Sequence, residues 1–204
     1  NNGVLTFETS VGSFHDNGGY FFQNHINCLT QNGEWIYNSK TKVFSIYSTT
    51  DPKLDNWETN GYNNAFNLNS KNYITIENIA FDSYSEHTIY HIYGTYKFIQ
   101  NCEFYNVGIS ATNNVAEDWC KFNYNTIDNS LQYGLYHLGN SRATCDNSEV
   151  IGNVVKNIGF PIGSDRANAG THAAINVYGH TMTVSLDVVD NCSSIEWNWK
   201  EGDV

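Results

Sequence analysis

Proline, methionine and arginine are nearly absent from this chain of 204 residues. It has two prolines and one methionine, and its only arginines are Arg142 and Arg166. Charged residues make up 15%, so the composition lacks the alanine, glutamate, lysine and leucine content of a helical bundle. Aromatic residues also reach 15% and Thr, Ile and Val are abundant. This composition favours β-strands and turns.

Positive charge is scarce, and the formal net charge is −11. Nucleic-acid binding requires clustered Lys and Arg, so nucleic acid is excluded as a partner. A polyanion would be repelled unless a divalent cation such as Ca²⁺ bridged it to the protein. We expect no other cofactor.

No pair of cysteines has the C-x-x-C spacing of a zinc site, so no metal-binding residues are predicted. We expect most of the cysteines to be small core residues, not a disulfide framework. The five are Cys28, Cys102, Cys120, Cys145 and Cys192.

Signal-peptide features and apolar runs near the ~20 residues of a spanning helix are both missing, which predicts no membrane insertion. The chain begins and stops in mid-pattern. We therefore expect it to be a segment of a longer protein.

What the chain does have is an internal repeat. The segments "AFNLNSKNYITIENIAF" (65–81) and "IYHIYGTYKFIQNCEF" (89–104) superimpose, and shorter copies occur at 135–140 and 174–179. A period in the low twenties, with short strands and polar corners, predicts a solenoid. Stacked coils would place equivalent asparagines about 4.8 Å apart in a hydrogen-bonded ladder. The predicted ladder contains Asn78, Asn101, Asn125 and Asn153.

These coils, I-T-I-E-N-x-x-F and K-F-I-Q-N-x-x-F, resemble those of the right-handed parallel β-helix, the pectate-lyase-like superfamily. The preceding G-Y-F-F-Q-N (19–24) and G-E-W-I-Y (33–37) are similar to the lead-in of secreted Bacteroidetes β-helix proteins. The resemblance implies an all-β, right-handed parallel β-helix over 65–204, with 1–64 as a lead-in and cap on the first coil. It also implies a bacterial extracellular or cell-surface location. Activity stays open, because the superfamily contains lyases, hydrolases, esterases and non-catalytic adhesins.

Alternation along the first strand of each coil predicts an outward polar row. The pattern aligns Phe66, Tyr90, Tyr136 and Ile175 as inward residues. The outward row is then Asn67, His91, Ser110, His137 and Asn176. One interpretation is a carbohydrate groove, and the other is a solvated face of stacked polar side chains.

The longest departure from the repeat is "PIGSDRANAGTHAA" (161–174), a loop rich in ionisable residues. β-Elimination on a uronic acid needs a cation for the carboxylate and a base for the proton. Arg166 could be the cation, and His137, His172 or Lys156 the base. The predicted substrate-binding residues are Asn67, His91, Asn176, Trp57, Arg142 and Asp165.

Two functions remain from the sequence. The first is a secreted β-helix that binds or degrades an extended extracellular polysaccharide, with lyase chemistry as the enzymatic form. The alternative is a non-catalytic adhesin, structural solenoid or glycan-binding module. Either protein is expected to be a monomer with a polysaccharide partner.

Overall fold

The computed structural model describes residues 25–54, 60–138, 145–159, 173–179, 181–192 and 196–197. For residues 116, 137, 138, 178, 196 and 197 it describes the backbone alone. The chain divides into two compact units, residues 1–57 and residues 58–204.

In the first unit, a short antiparallel hairpin follows a 3₁₀ turn. The turn spans Ile26–Cys28, and the hairpin consists of β1 (Trp35–Asn38) and β2 (Val43–Ile46). A second 3₁₀ turn spans Pro52–Leu54. The G-E-W-I-Y segment thus enters a strand. Its predicted packing on the first coil stays a prediction.

Three parallel sheets build the second unit. Sheet A contains β3 (Phe66–Asn67), β6 (His87–Thr95), β9 (Ser110–Asp118), β12 (Tyr133–Leu138), β15 (Ala173–Tyr178) and β18 (Glu196–Trp197). Sheet B contains β4 (Ile74–Glu77), β7 (Lys97–Gln100), β10 (Lys121–Asn123), β13 (Glu149–Ile151) and β16 (Thr183–Ser185). Sheet C contains β5 (Ala80–Asp82), β8 (Glu103–Val107), β11 (Thr126–Ser130), β14 (Val154–Ile158) and β17 (Val188–Cys192).

Each strand pairs with the strand three places along the chain, so every coil passes through sheets A, B and C in turn. The predicted all-β class is confirmed. The three parallel sheets and their repeating order are compatible with a β-helix-like solenoid.

The core lies between the sheets and consists of apolar residues that recur at equivalent positions of successive coils. In sheet C, the rings of Phe81 and Phe104 stack at 5.1 Å between centroids, and Phe104 lies 6.0 Å from Phe122 of sheet B. Phe104 and Phe122 have no exposed surface. Burial of one such side chain contributes about 1.5–3 kcal/mol, which favours stacking of successive coils over separate hairpins.

Sheet A has a register that differs by one residue from the predicted alignment in β6. Phe66 pairs with Ile89, whereas the repeat pattern aligned it with Tyr90. Ile89 has no exposed surface and belongs to the core. Because side chains alternate along a strand, Tyr90 points to the outer face and His91 points inward.

The same shift occurs in β12, where Leu135, not Tyr136, pairs with Ile175. His137 accordingly pairs with Asn114 and Val177. The predicted outward row is therefore wrong at His91 and Ser110, which are both buried. The outer row that the register gives is Asn67, Tyr90, Asn113, Tyr136 and Asn176. The segments "IYHI" and "LYHL" are apolar or aromatic in both phases, so their pattern cannot distinguish the two registers.

The four predicted ladder asparagines occupy two adjacent positions. Asn78 and Asn101 have φ of 59° and 51° and form the left-handed corner, a conformation that asparagine tolerates. Asn125 and Asn153 come one residue later in the repeat and have no exposed surface. Asn153 Oδ1 accepts hydrogen bonds from Asn125 N at 2.9 Å and Nδ2 at 3.1 Å. The ladder is thus confirmed for this pair, and the prediction of one shared position is wrong.

A further asparagine ladder lies at the end of sheet C. Asn129 Nδ2 donates to Asn106 Oδ1 at 2.8 Å, and Asn191 Nδ2 donates to Asn157 Oδ1 at 2.6 Å. All four residues have φ between 50° and 65°. These asparagines therefore have a structural role.

The five cysteines are all free thiols. Cys102, Cys120 and Cys145 are buried, while Cys28 and Cys192 are partly buried. The prediction of core cysteines without a disulfide framework is confirmed for the three buried ones.

Candidate ligand-binding face

Half of the predicted site residues lie outside the described residues. These are Trp57, Arg142, Asp165, Arg166 and His172. His137 lies in β12 of sheet A, and its side chain is not described. Their assigned roles stay predictions.

Lys156 lies on sheet C and is already paired. Its Nζ is 3.2 Å from Asp128 Oδ2 of the neighbouring strand. His137 belongs to sheet A. The two described members of the predicted catalytic set therefore belong to different sheets.

His91 is buried, with 1% of its surface exposed, so its predicted place in an exposed groove is wrong. Its Nδ1 lies 2.7 Å from Glu117 Oε2, and Lys97 forms an ion pair with the other oxygen of the same carboxylate. Cys120 Sγ is 3.6 Å from Glu117 Oε2. His91, Lys97, Glu117 and Cys120 thus form a buried polar cluster inside the coils.

The electrostatics of this cluster favour a structural role. Burial raises the pKa of Glu117, but hydrogen bonds and charges from His91 and Lys97 outweigh it, so this pKa is below its usual value. Burial, together with the Glu117 charge, raises the pKa of Cys120 to about 12. Because the thiolate is the nucleophile, this shift disfavours a nucleophilic role for Cys120 at neutral pH. The cluster holds one buried carboxylate between the His91 ring and the Lys97 ammonium.

Aromatic side chains form a column at the corner where sheet A leads into sheet B. Tyr73 and Tyr96 stack at 5.1 Å with an interplanar angle of 6°, and Tyr96 stacks on Trp119 at 6.0 Å. All three have φ between 56° and 58°. Within the column the rings cover one another's faces, which marks it as a contact between coils.

The outer face of sheet A carries the row that the corrected register defines, called here the Asn/Tyr row. Amide and phenol side chains alternate along it, at about 4.8 Å per coil. Asn67 is exposed, while Tyr90 and Tyr136 are partly buried. Asn113 is 8% exposed and Asn176 4%.

Tyr136 lies in the row between these two asparagines. Its ring centroid is 4.7 Å from that of Tyr133. Burial, with a smaller effect from Tyr133, raises the pKa of Tyr136. Tyr136 is therefore a neutral phenol that can both donate and accept a hydrogen bond.

A chain of hydrogen bonds fixes Asn113. Its Nδ2 is 3.1 Å from His87 Nε2, and His87 Nδ1 is 2.7 Å from Ser110 Oγ. Ser110 Oγ in turn donates to the carbonyl oxygen of Thr112 at 2.7 Å. The side chains of three residues on the first two long strands of sheet A thus act as one unit.

Two buried oxygens in the row have no donor among the described residues. They are Oδ1 of Asn113 and Oδ1 of Asn176. A buried acceptor without a hydrogen bond costs about 1–3 kcal/mol. An arrangement that needs donors, beside half-buried tyrosines, is suited to a ligand rich in hydroxyl groups.

Sequence reasoning identified two members of the row, Asn67 and Asn176. It missed Tyr90, Asn113 and Tyr136, together with His87. The core position of Ile89 is the signal that could have identified these residues. If Ile89 points inward, the outward positions of successive coils alternate between asparagine and tyrosine.

Within the described ranges, no three His, Cys, Asp or Glu residues are grouped so that they could hold a metal ion. No helix in the same part of the chain is long and apolar enough to span a membrane.

Comparison of the chain with protein-family models, curated proteins and solved structures gave no match.

Proposed function

We propose that this protein is a secreted bacterial β-helix, right-handed and pectate-lyase-like, that binds an extended polysaccharide along the outer face of sheet A. The Asn/Tyr row carries the proposal, because its buried amide oxygens need hydrogen-bond donors. The I-x-I-x-N-x-x-F coils support the family, and the sequence resemblance supports an extracellular or cell-surface location.

The length of the row supports an extended ligand. From Asn67 to Asn176 it crosses five coils, or about 20 Å at the spacing of paired strands. Tyrosine supplies flat apolar area for a sugar ring and a hydroxyl at its edge. Asparagine supplies both a donor and an acceptor.

Binding without catalysis is the form that the described residues favour. Lys156 is engaged by Asp128, and His91 is enclosed with Glu117. The lyase form depends on His137, Arg166 and His172, and it remains the enzymatic alternative.

The proposal is tested by calorimetric titration of the full chain with a panel of neutral and acidic oligosaccharides. Tyr90→Ala should weaken binding at least about tenfold, because truncation of a tyrosine at the centre of an interface typically costs this much. Tyr105→Ala, on the outer face of sheet C, is the matched control and should bind as the wild type does. If no oligosaccharide binds, or if both variants behave alike, the proposal fails.

The lyase form is tested separately, by the absorbance of unsaturated uronide products. Alginate, pectate and glycosaminoglycans are the substrates, each with and without Ca²⁺. Product formation would make the protein an enzyme. Its absence, together with binding in the titration, leaves a glycan-binding solenoid.

A further inference from the structure

We infer that the Asn/Tyr row selects neutral, hydroxyl-bearing glycans over uronates, and that His87 sets this preference by orienting the amide of Asn113. The inference rests on the proposed function and adds the class of glycan.

The direction of each hydrogen bond in the His87 chain follows from one proton. Ser110 Oγ has a single hydrogen, which the carbonyl of Thr112 takes. At their 2.7 Å separation, His87 Nδ1 must therefore donate to Ser110 Oγ. In the neutral imidazole, Nε2 is then an acceptor, and it takes its hydrogen bond from Asn113 Nδ2.

These hydrogen bonds fix which end of the Asn113 amide is left for a ligand. One N–H of Nδ2 is used by His87, while the oxygen has no donor among the described residues. The Oδ1 of Asn176, two coils further along the row, also has no donor among the described residues. Both positions therefore require a donor. A sugar hydroxyl supplies one, whereas an ionised carboxylate only accepts.

Access to the two oxygens involves Tyr136. Both oxygens are buried, and Tyr136 lies between Asn113 and Asn176 in the row. A ligand that donates to both oxygens therefore also contacts Tyr136, and side chains around the row must move to admit its hydroxyls.

The distribution of charge around sheet A also disfavours a uronate. The strands of sheet A contain no Lys or Arg, and Glu117 on these strands is paired with Lys97 inside the coils. On the other sheets, Lys121 is paired with Glu149 and Lys156 with Asp128. A uronate on sheet A would thus meet no cation from its strands on a chain of net charge −11, and like charges in contact are strongly unfavourable.

The test compares matched glycans by calorimetric titration of the full chain. Neutral mannan and cellulose oligosaccharides are each paired with the corresponding uronate, which carries a carboxylate in place of the exocyclic hydroxymethyl group. We expect at least one neutral member to bind and its uronate to bind at least about tenfold more weakly. Uronate binding of equal or higher affinity, with or without Ca²⁺, overturns the inference and leaves the proposed function standing. No binding by any member overturns both.

The role of His87 is tested by two variants. His87→Ala frees the Asn113 amide and should weaken neutral binding about fivefold or more. His87→Gln keeps one acceptor and one donor, and it should retain wild-type affinity and selectivity.

Tyr105→Phe is the control for both, and thermal unfolding by circular dichroism establishes that each variant is folded. Equal losses in His87→Ala and His87→Gln, or no loss in either, would overturn the role of His87. Should His87→Ala fail to fold, Asn113→Asp provides the second test. It removes the amide donor from the chain and should also weaken neutral binding, and unchanged binding would contradict the inference.

Discussion

Glu117 is the residue on which the interior of the coils depends electrostatically. Its side chain has no exposed surface, and it contacts His91 and Lys97, whose side chains are 2% and 0% exposed. Taking such groups out of water is expensive unless each keeps its partner. The cluster is therefore more sensitive to the loss of one member than the partly exposed pairs Lys121–Glu149 and Lys156–Asp128.

Glu117→Gln should lower the free energy of unfolding by about 3–5 kcal/mol, because it leaves the buried ammonium of Lys97 without a counter-charge. Urea unfolding at neutral pH measures the change. Glu149→Gln is the control, since its pair with Lys121 is partly exposed and should be worth less than about 1 kcal/mol. Equal effects of the two substitutions would contradict this account of the cluster.

The difference in stability between wild type and Glu117→Gln should also depend on pH. The pKa of Glu117 is lower in the folded chain than its usual 4.5. The stability from the ionised carboxylate is thus fully present above the unfolded pKa and is lost as pH falls through the folded value. Unfolding measured on acidification should show the gap between wild type and Glu117→Gln narrowing, and a constant gap would contradict it.

At the scale of an element, the buried corner ladder is a contact that repeats from coil to coil. Asn125 Nδ2 donates to the Ile99 carbonyl at 3.0 Å, and Asn153 Nδ2 donates to the Phe122 carbonyl at 2.9 Å. Each Oδ1 also accepts from the backbone of the preceding coil. The ladder satisfies both ends of every amide without using solvent.

Asp187 continues this ladder with a carboxylate. Its Oδ1 accepts from Asn153 N at 2.7 Å and Asn153 Nδ2 at 2.8 Å, while its Oδ2 is buried without a donor among the described residues. Burial raises the pKa of Asp187, although hydrogen bonds from Asn153 lower it. Position 187 is thus better suited to an amide side chain than to a carboxylate.

Asp187→Asn should raise the free energy of unfolding at neutral pH. The amide nitrogen could donate to the Val150 carbonyl, the position equivalent to those of Ile99 and Phe122. Because the folded pKa of Asp187 is raised, its proton favours folding at low pH and that benefit is lost as pH rises through the folded value. Chemical unfolding from acid to neutral pH should therefore show an advantage of Asp187→Asn that grows with pH, and a loss of stability at neutral pH would refute it.

At the scale of the whole molecule, sequence patterns predicted the fold better than the composition of the Asn/Tyr row. The asparagine corners and the 23-residue steps are local features, so they were visible in the sequence. The register of β6 was not, because Ile89 and Tyr90 are both plausible core residues. The Lys97–Glu117 contact was equally hidden, since it joins residues 20 apart inside the coil.

The charge of the whole molecule leads to a simple expectation for binding. A neutral glycan has no Coulomb interaction with a chain of net charge −11. Its Kd should change by less than about twofold between low salt and 1 M NaCl, although the Debye length falls from about 30 Å to about 3 Å. Titration across this range measures it. A strong salt dependence would indicate charged groups at the site instead of the Asn/Tyr row.

The buried ladder also determines where this chain can change length. Successive ladder residues are 23, 28 and 34 positions apart from Cys102 to Asp187. The connection from sheet B to sheet C is nevertheless two residues in every coil. All the added residues fall between β12 and β13 or between β14 and β15, on the two borders of sheet A. Evolution, or an engineer grafting peptides, can therefore vary the surroundings of one face while the frame of the coils stays constant.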